Sequence, residues 1–152
     1  MKNIRVSVET STYNTSEADP DDSWDRPNTA QDIIGWSAEV VKSEADKNSN
    51  YWNESITVAV DDDASEIYVV RILYSTGDTF GNDSGQIYLA DAFDDEDDAH
   101  ELLEKFKEYD VNYGSRKVVP YNFEFNGKSY DLPWSGFFER LESIRVETVT
   151  IS

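Results

Sequence analysis

The run Glu66–Tyr74 constrains this chain most. Ile67, Tyr68, Val69, Val70, Ile72 and Leu73 follow one another with only Arg71 between them. Polar residues do not alternate with the apolar ones, so the segment reads as a central strand rather than a half-exposed one. Gln86–Phe93 returns as a second strand, and the two predict an antiparallel pair. Ser75–Gly85 between them is rich in Gly and Asp and reads as a loop, longer than the roughly two to five residues a hairpin requires.

Asp94 and Asp95 then open a helix over about 95–109. Acids in a first turn complement the helix dipole and cap its free amides. Ala99, Leu102, Leu103, Phe106 and Tyr109 recur at helical spacing, which makes one face apolar. Lys105 and Lys107 fall in the later turns, where the dipole favours cations.

The rest of the chain fits around this unit. Ile4, Val6 and Val8 alternate with polar residues, as do Trp36, Ala38 and Val40, and each set predicts a half-buried strand. Residues 10–35 are rich in Ser, Thr, Asn, Asp and Pro, which predicts a long irregular loop with a short helical turn near Ala30–Ile34. Residues 42–50 read as a polar turn. Trp52–Val60 reads as a third strand, stopped by Asp61-Asp62-Asp63. Asn126-Gly127, between the alternating segments 121–125 and 128–132, is a strong hairpin signal. Residues 133–141 read as a short apolar turn or helix. Ile144, Val146, Val149 and Ile151 form a last strand with an irregularity between Val146 and Val149. The expectation is an α+β fold in one domain spanning 1–152: a mostly antiparallel sheet, one main helix and a short second helical segment.

Charge sets the functional limits. The 152 residues carry 32 Asp and Glu against 13 Lys and Arg, a net charge of -19. Residues 1–50 hold ten acids and five bases, 51–100 thirteen acids and one base, and 101–152 nine acids and seven bases. Direct binding to nucleic acid is disfavoured, because a phosphate backbone needs Lys and Arg to displace its counterions. Anionic membrane surfaces are disfavoured for the same reason. No run approaches the roughly 20 apolar residues of a membrane span, and Met1–Arg5 lacks the apolar core of a signal peptide. A cytosolic protein is the default expectation. The chain has no cysteine, so thiolate metal sites, disulfides and cysteine nucleophiles are absent. With 4 Trp, 9 Tyr and 7 Phe, the chain departs from the aromatic-poor composition of acidic disordered segments.

A strand ending in Tyr74-Ser75-Thr76-Gly77-Asp78-Thr79-Phe80-Gly81, then a second strand, an acid-started helix and the segment Trp134-Ser135-Gly136-Phe137-Phe138-Glu139-Arg140-Leu141-Glu142-Ser143 form a pattern. Over residues 66–151 it resembles small acidic proteins of tailed bacteriophages. The resemblance implies a viral origin and action in the cytoplasm of a bacterial host. It carries no activity, cofactor or catalytic residue with it. It also implies, by association, an inhibitor of host defence or of host nucleic-acid enzymes.

Catalytic constellations are sparse. His100 is the single histidine and sits among acids, where a solvated surface role suits it better than general-base chemistry. Neither a Gly-x-Ser-x-Gly elbow nor a phosphate-binding Gly-x-x-x-x-Gly-Lys-Ser/Thr loop is present. With so many acids, no single carboxylate pair singles itself out for glycoside hydrolysis. A calcium loop needs Gly at its sixth position and Glu at its twelfth. Starting from Asp94 these are Ala99 and Lys105, and from Asp19 they are Trp24 and Ala30. The expectation is therefore a protein without enzymatic activity, metal or cofactor.

Two features could serve a partner. Gly77, Gly81 and Gly85 let the Ser75–Gly85 loop turn sharply, presenting Asp78, Phe80 and Asp83; a self-packed loop is the plainer reading. Asp61, Asp62 and Asp63 form one acidic cluster, and Asp94, Asp95, Glu96, Asp97 and Asp98 form another. A helix dipole accounts for one or two of these acids, each worth about 0.3–1 kcal/mol. Net charge also serves solubility, and a halophilic surface would be acidic too. The excess suits an electrostatic role, in which carboxylates on a rigid face replace a nucleic acid in a basic cleft. The expected partner is a host protein with such a cleft. Alternatives are a small-ligand binder using the 75–85 loop with Trp134 and nearby aromatics, or a phage structural or assembly factor.

Overall fold

The computed structural model describes residues 1–14, 29–42, 55–77, 83–110, 119–134 and 139–152. Its elements are β1 (Lys2–Asn14), β2 (Thr29–Val41), β3 (Ser55–Val60), β4 (Glu66–Gly77), β5 (Asp83–Phe93), α1 (Glu96–Lys107), β6 (Asn122–Phe125), β7 (Lys128–Asp131) and β8 (Glu139–Thr150). Six strands form one sheet in the order β3-β1-β2-β5-β4-β8, and β6-β7 form a separate hairpin. Every pairing is antiparallel except β2 with β5, which meet in parallel at Thr29 and Ser84. The fold class is α+β, as the hydrophobic pattern predicts.

That parallel joint lets the sheet fold over on itself. One apolar cluster draws on all six strands, with Ile4, Val6 and Val8 of β1, Ala38 of β2, Val58 and Val60 of β3, Ile67 and Val69 of β4, Ile87, Leu89 and Ala92 of β5 and Val149 of β8. The opposite face of β4 presents Val70 and Ile72 to a second cluster. This one contains Ala99, Leu102, Leu103 and Phe106 of α1, Phe123 and Tyr130 of the hairpin, and Leu132 and Trp134. β4 is thus covered on both faces, which is why its sequence is almost continuously apolar. Burying a side chain of this size contributes about 1.5–3 kcal/mol.

The exception, Arg71, lies on the inward side of β4 and is only 7% exposed. Its guanidinium lies 3.7 Å from Glu147 Oε1 and donates to Ser143 Oγ at 3.4 Å. Burial pushes its pKa down, with Glu147 acting in the opposite sense.

Local signals act where expected. The hairpin turn places Asn126 at φ 50° and Gly127 at φ 78°, the paired positive values that a two-residue I′ turn demands. A Cβ at Gly127 would meet nothing within 4 Å, so backbone conformation, not space, calls for glycine there. α1 ends at Lys107, and the amides of Tyr109 and Asp110 bond back to the Phe106 and Lys107 carbonyls in tight turns at 3.1 Å.

Several expectations are corrected. The loop assigned to residues 10–35 is strand at both ends. Thr10 pairs with Ile33 and Asn14 with Thr29, so Ala30–Ile34 is extended rather than a helical turn. A bulge at Ile34 interrupts this ladder, and its side chain is 60% exposed. Polar strands give no hydrophobic alternation, so only their backbone pairing identifies them. The Ser75–Gly85 loop shortens likewise, because the β4–β5 ladder continues to Gly77 and Asp83. In the segment 133–141, Glu139–Leu141 belongs to β8 and pairs with β4 from Thr76 to Tyr74; residues 135–138 lie outside the described residues. The ladder is regular from Val146 to Val149, and the irregularity falls at Glu142, opposite the Leu73–Tyr74 step. The polar turn at 43–50 and Trp52 also lie outside the described residues.

Candidate acidic interaction surface

The two acidic clusters occupy connections at the same end of the sheet. Asp61–Asp63 lie in the turn between β3 and β4; Asp94 and Asp95 join β5 to α1, and Glu96, Asp97 and Asp98 form the first turn of that helix. The first turn is closed by the Ala64 amide donating to the Asp61 carbonyl at 3.1 Å and by the Asp63 amide donating to Asp61 Oδ1 at 3.3 Å. Such side-chain-to-backbone bonds are what Asp supplies in a turn. The Asp61 amide then donates to Asp94 Oδ2 at 2.9 Å. This bond joins clusters that are 33 residues apart in the chain.

Asp95 is the N-cap of α1. Its backbone is extended, at φ −111° and ψ 122°, and its Oδ1 accepts the Asp97 amide at 2.9 Å. Asp61, Asp62, Asp63, Asp94, Asp95, Glu96 and Asp97 are exposed and Asp98 is half-buried. Nearby cations are few: the terminal ammonium of Met1 lies 3.3 Å from Asp62, and Lys2 Nζ donates to the Ala64 carbonyl at 2.7 Å. The field is felt at Tyr68, whose hydroxyl donates to Glu66 Oε2 at 3.2 Å. Its pKa is raised by desolvation, by that bond and by the negative charges of Glu66, Glu96 and Asp95.

The cap yields a prediction. Asp95→Ala should lower stability by about 1 kcal/mol, whereas Asp95→Asn, which keeps the accepting oxygen, should change it little. Urea unfolding of the two variants checks this.

The surface continues along α1. Asp97, His100, Glu101, Glu104, Lys105 and Glu108 line an open groove against Glu124, Phe125 and Asn126 of the hairpin. Lys105 lies 3.1 Å from Glu108 and Lys107 lies 3.7 Å from Glu104, so the last turn is internally matched and the first is not. His100 Nε2 lies 3.6 Å from Glu96 and its side chain is exposed. Glu101 and Glu104 are additional carboxylates on this surface that charge runs alone do not single out; their helical spacing from Asp97 is the signal that could have done so.

The third group stands apart. Asp83 opens β5 at the far end of the hairpin, opposite Gly77, while the acidic clusters flank Glu66 and Phe93. At about 3.4 Å per residue the separation is roughly 30 Å. Asp78 and Phe80 lie outside the described residues. Trp134, a candidate ligand contact on sequence grounds, is 3% exposed and donates its indole N–H to the Tyr109 carbonyl at 3.1 Å.

Asp91 is a buried carboxylate that sequence pattern does not reveal. It is 5% exposed. Its Oδ2 accepts from Tyr130 at 2.6 Å and from Lys128 at 3.2 Å, and its Oδ1 from the Ala92 amide at 2.8 Å. Both oxygens are occupied, so its role is to tie the hairpin to β5. Among the described residues no group of three or more His, Asp or Glu side chains converges to hold a metal ion, and no helix is long and apolar enough to cross a membrane. No family model, curated protein or solved structure matches the chain.

Proposed function

We propose that this protein is a phage-encoded, non-enzymatic inhibitor that binds a host defence or nucleic-acid-processing protein through an acidic, nucleic-acid-mimicking surface. The observation that carries the reading is the Asp61–Asp94 hydrogen bond. It fixes two carboxylate clusters side by side on short connections between rigid strands and a helix. A duplex presents one negative charge per about 1.7 Å of axis, so a mimic needs closely spaced carboxylates held in place. Self-repulsion makes such a patch costly to keep, which favours a use for it. The phage origin and the host cytoplasm rest on the sequence resemblance.

The test neutralises each cluster separately, Asp61, Asp62 and Asp63 to Asn in one variant and Asp95, Asp97 and Asp98 to Asn in another. The partner is captured from bacterial lysate and eluted at graded salt. Exposed interfacial charges mainly accelerate association. Each variant should therefore bind its partner more slowly, with a shallower salt dependence, and fold stability should hold or rise. Unchanged affinity and salt dependence in both variants would reject the reading.

A further inference from the structure

Asn126-Gly127 is the one Asn-Gly pair in the chain. Both residues are exposed and lie beyond the last rung of the β6–β7 ladder, Phe125 with Lys128. That closing rung uses the backbone groups of Phe125 and Lys128, so the Gly127 amide takes no part in the ladder. A Cβ at Gly127 would meet nothing within 4 Å, and the space around its backbone is therefore open.

We propose that Asn126 deamidates spontaneously in the folded protein, with the Gly127 amide nitrogen as nucleophile and water as co-reactant, and that the isoaspartate product unlocks the hairpin. The Gly127 nitrogen attacks Cγ, the carbonyl carbon of the Asn126 side chain. The bond from Cγ to the side-chain nitrogen breaks, and ammonia leaves with the proton that the Gly127 amide gives up. This closes a succinimide ring. Water then opens the ring at either carbonyl. Opening at Cγ restores the main chain and leaves aspartate. Opening at the main-chain carbonyl leaves the chain running through Cβ and Cγ, an isoaspartate. The net change consumes a water and releases an ammonia. Asparagine is a thermolabile side chain, and the glycine after it admits the ring. Without a Cβ, Gly127 neither shields its nitrogen nor resists the rotation that ring closure needs. That rotation carries the turn out of its I′ form. The rung it disturbs first is Phe125–Lys128, at the end of strands only 4 residues long, where local opening costs least.

The two products differ in effect. Aspartate, like asparagine, is tolerated at positive φ, so the turn survives. It adds a carboxylate to the groove wall that Asn126 shares with Glu124. Isoaspartate lengthens the turn by a backbone carbon, and hairpin register depends on turn type and loop length. Phe123 and Tyr130 form a rung of the same short ladder, and both rings meet Phe106. A disturbed register therefore reaches the apolar cluster beneath α1.

The test holds the folded full chain in mildly alkaline buffer and follows it by peptide mapping with mass spectrometry. The peptide carrying residue 126 should exchange amide for carboxyl and split on chromatography into aspartate and isoaspartate forms. Asn122, paired with Asp131 in the ladder and followed by buried Phe123, should keep its amide. Asn126→Gly leaves a Gly-Gly pair that suits the I′ turn and should abolish the conversion. Asn126→Asp should melt with the fresh protein, whereas the isolated isoaspartate fraction should melt at a lower temperature. Conversion of residue 126 in urea but not in the folded chain, equal loss of amide at Asn122, or an isoaspartate fraction as stable as Asn126→Asp would overturn the proposal.

Discussion

Phe106→Ala should lower unfolding free energy by about 3–5 kcal/mol, the range for truncating a fully buried aromatic. Phe106 is 0% exposed. Its ring meets Phe123 edge-on at 4.9 Å, Tyr130 at 6.0 Å and Trp134 at 5.9 Å. These three residues come from the hairpin and the segment after it, so Phe106 is where α1, β6–β7 and the outer face of β4 are joined. Removing the ring leaves a cavity bounded by three separate elements, which cannot all collapse into it. Urea unfolding measures the loss. Phe106→Leu, which keeps most of the volume, should lose distinctly less. Equal losses would show that ring geometry, rather than cavity size, governs the site.

Asp91→Ala should have the next largest effect, about 2–3 kcal/mol. The substitution leaves the Tyr130 hydroxyl buried without its acceptor, and a buried unsatisfied polar group is costlier than the bond it once made was favourable. A double-mutant cycle with Tyr130→Phe isolates the pair. The double variant should lose less than the sum of the single losses, because it removes both partners together. The pair also sets an alkaline limit. Burial, then the bond to Asp91 and its negative charge, raises the Tyr130 pKa above its ordinary value of 10. A tyrosine harder to ionise in the folded state stabilises the fold fully below pH 10, and that contribution is lost as the pH rises further. Unfolding midpoints should therefore fall from about pH 10 upward, and Tyr130→Phe should flatten that fall. A residual slope from Tyr68, whose pKa is also raised, should remain in the variant.

The association predictions differ from these in kind. Neutralising exposed carboxylates should change rates and salt dependence while leaving stability intact. The core variants should change stability while leaving the acidic patch in place. A variant that altered both would mean that the acidic connections help to hold the sheet closed, through the Asp61–Asp94 bond or the Asp95 cap.

Much of the fold is legible wherever burial leaves a periodic trace. β4 reads as central because residues 67–73 are covered on both faces. α1 reads as a helix because Ala99, Leu102, Leu103 and Phe106 share one stripe and Asp95 caps it. The β6–β7 turn is written in Asn126-Gly127, since that pair tolerates the positive φ the turn requires. These signals are local, and each acts within a few residues of itself.

Polar pairing and spatial proximity are not legible. The outer halves of β1 and β2 and the ends of β4 and β5 are rich in Ser, Thr, Gly and Asp. Their strand character comes from ladders that adjacent strands impose, not from their own preference. The start of β8 reads as helical because its apolar residues have no clear period, and its pairing with β4 overrides that reading. The acidic excess, its concentration in residues 61–98 and the identity of the central strand and main helix are all properties of the linear chain. Folding alone brings Asp61–Asp63 and Asp94–Asp98 to one end of the sheet and leaves Asp83 at the other. That separation follows from the direction of the β4–β5 hairpin: its two ends lie a strand length apart, and a linear sequence records spacing along the chain rather than across the sheet.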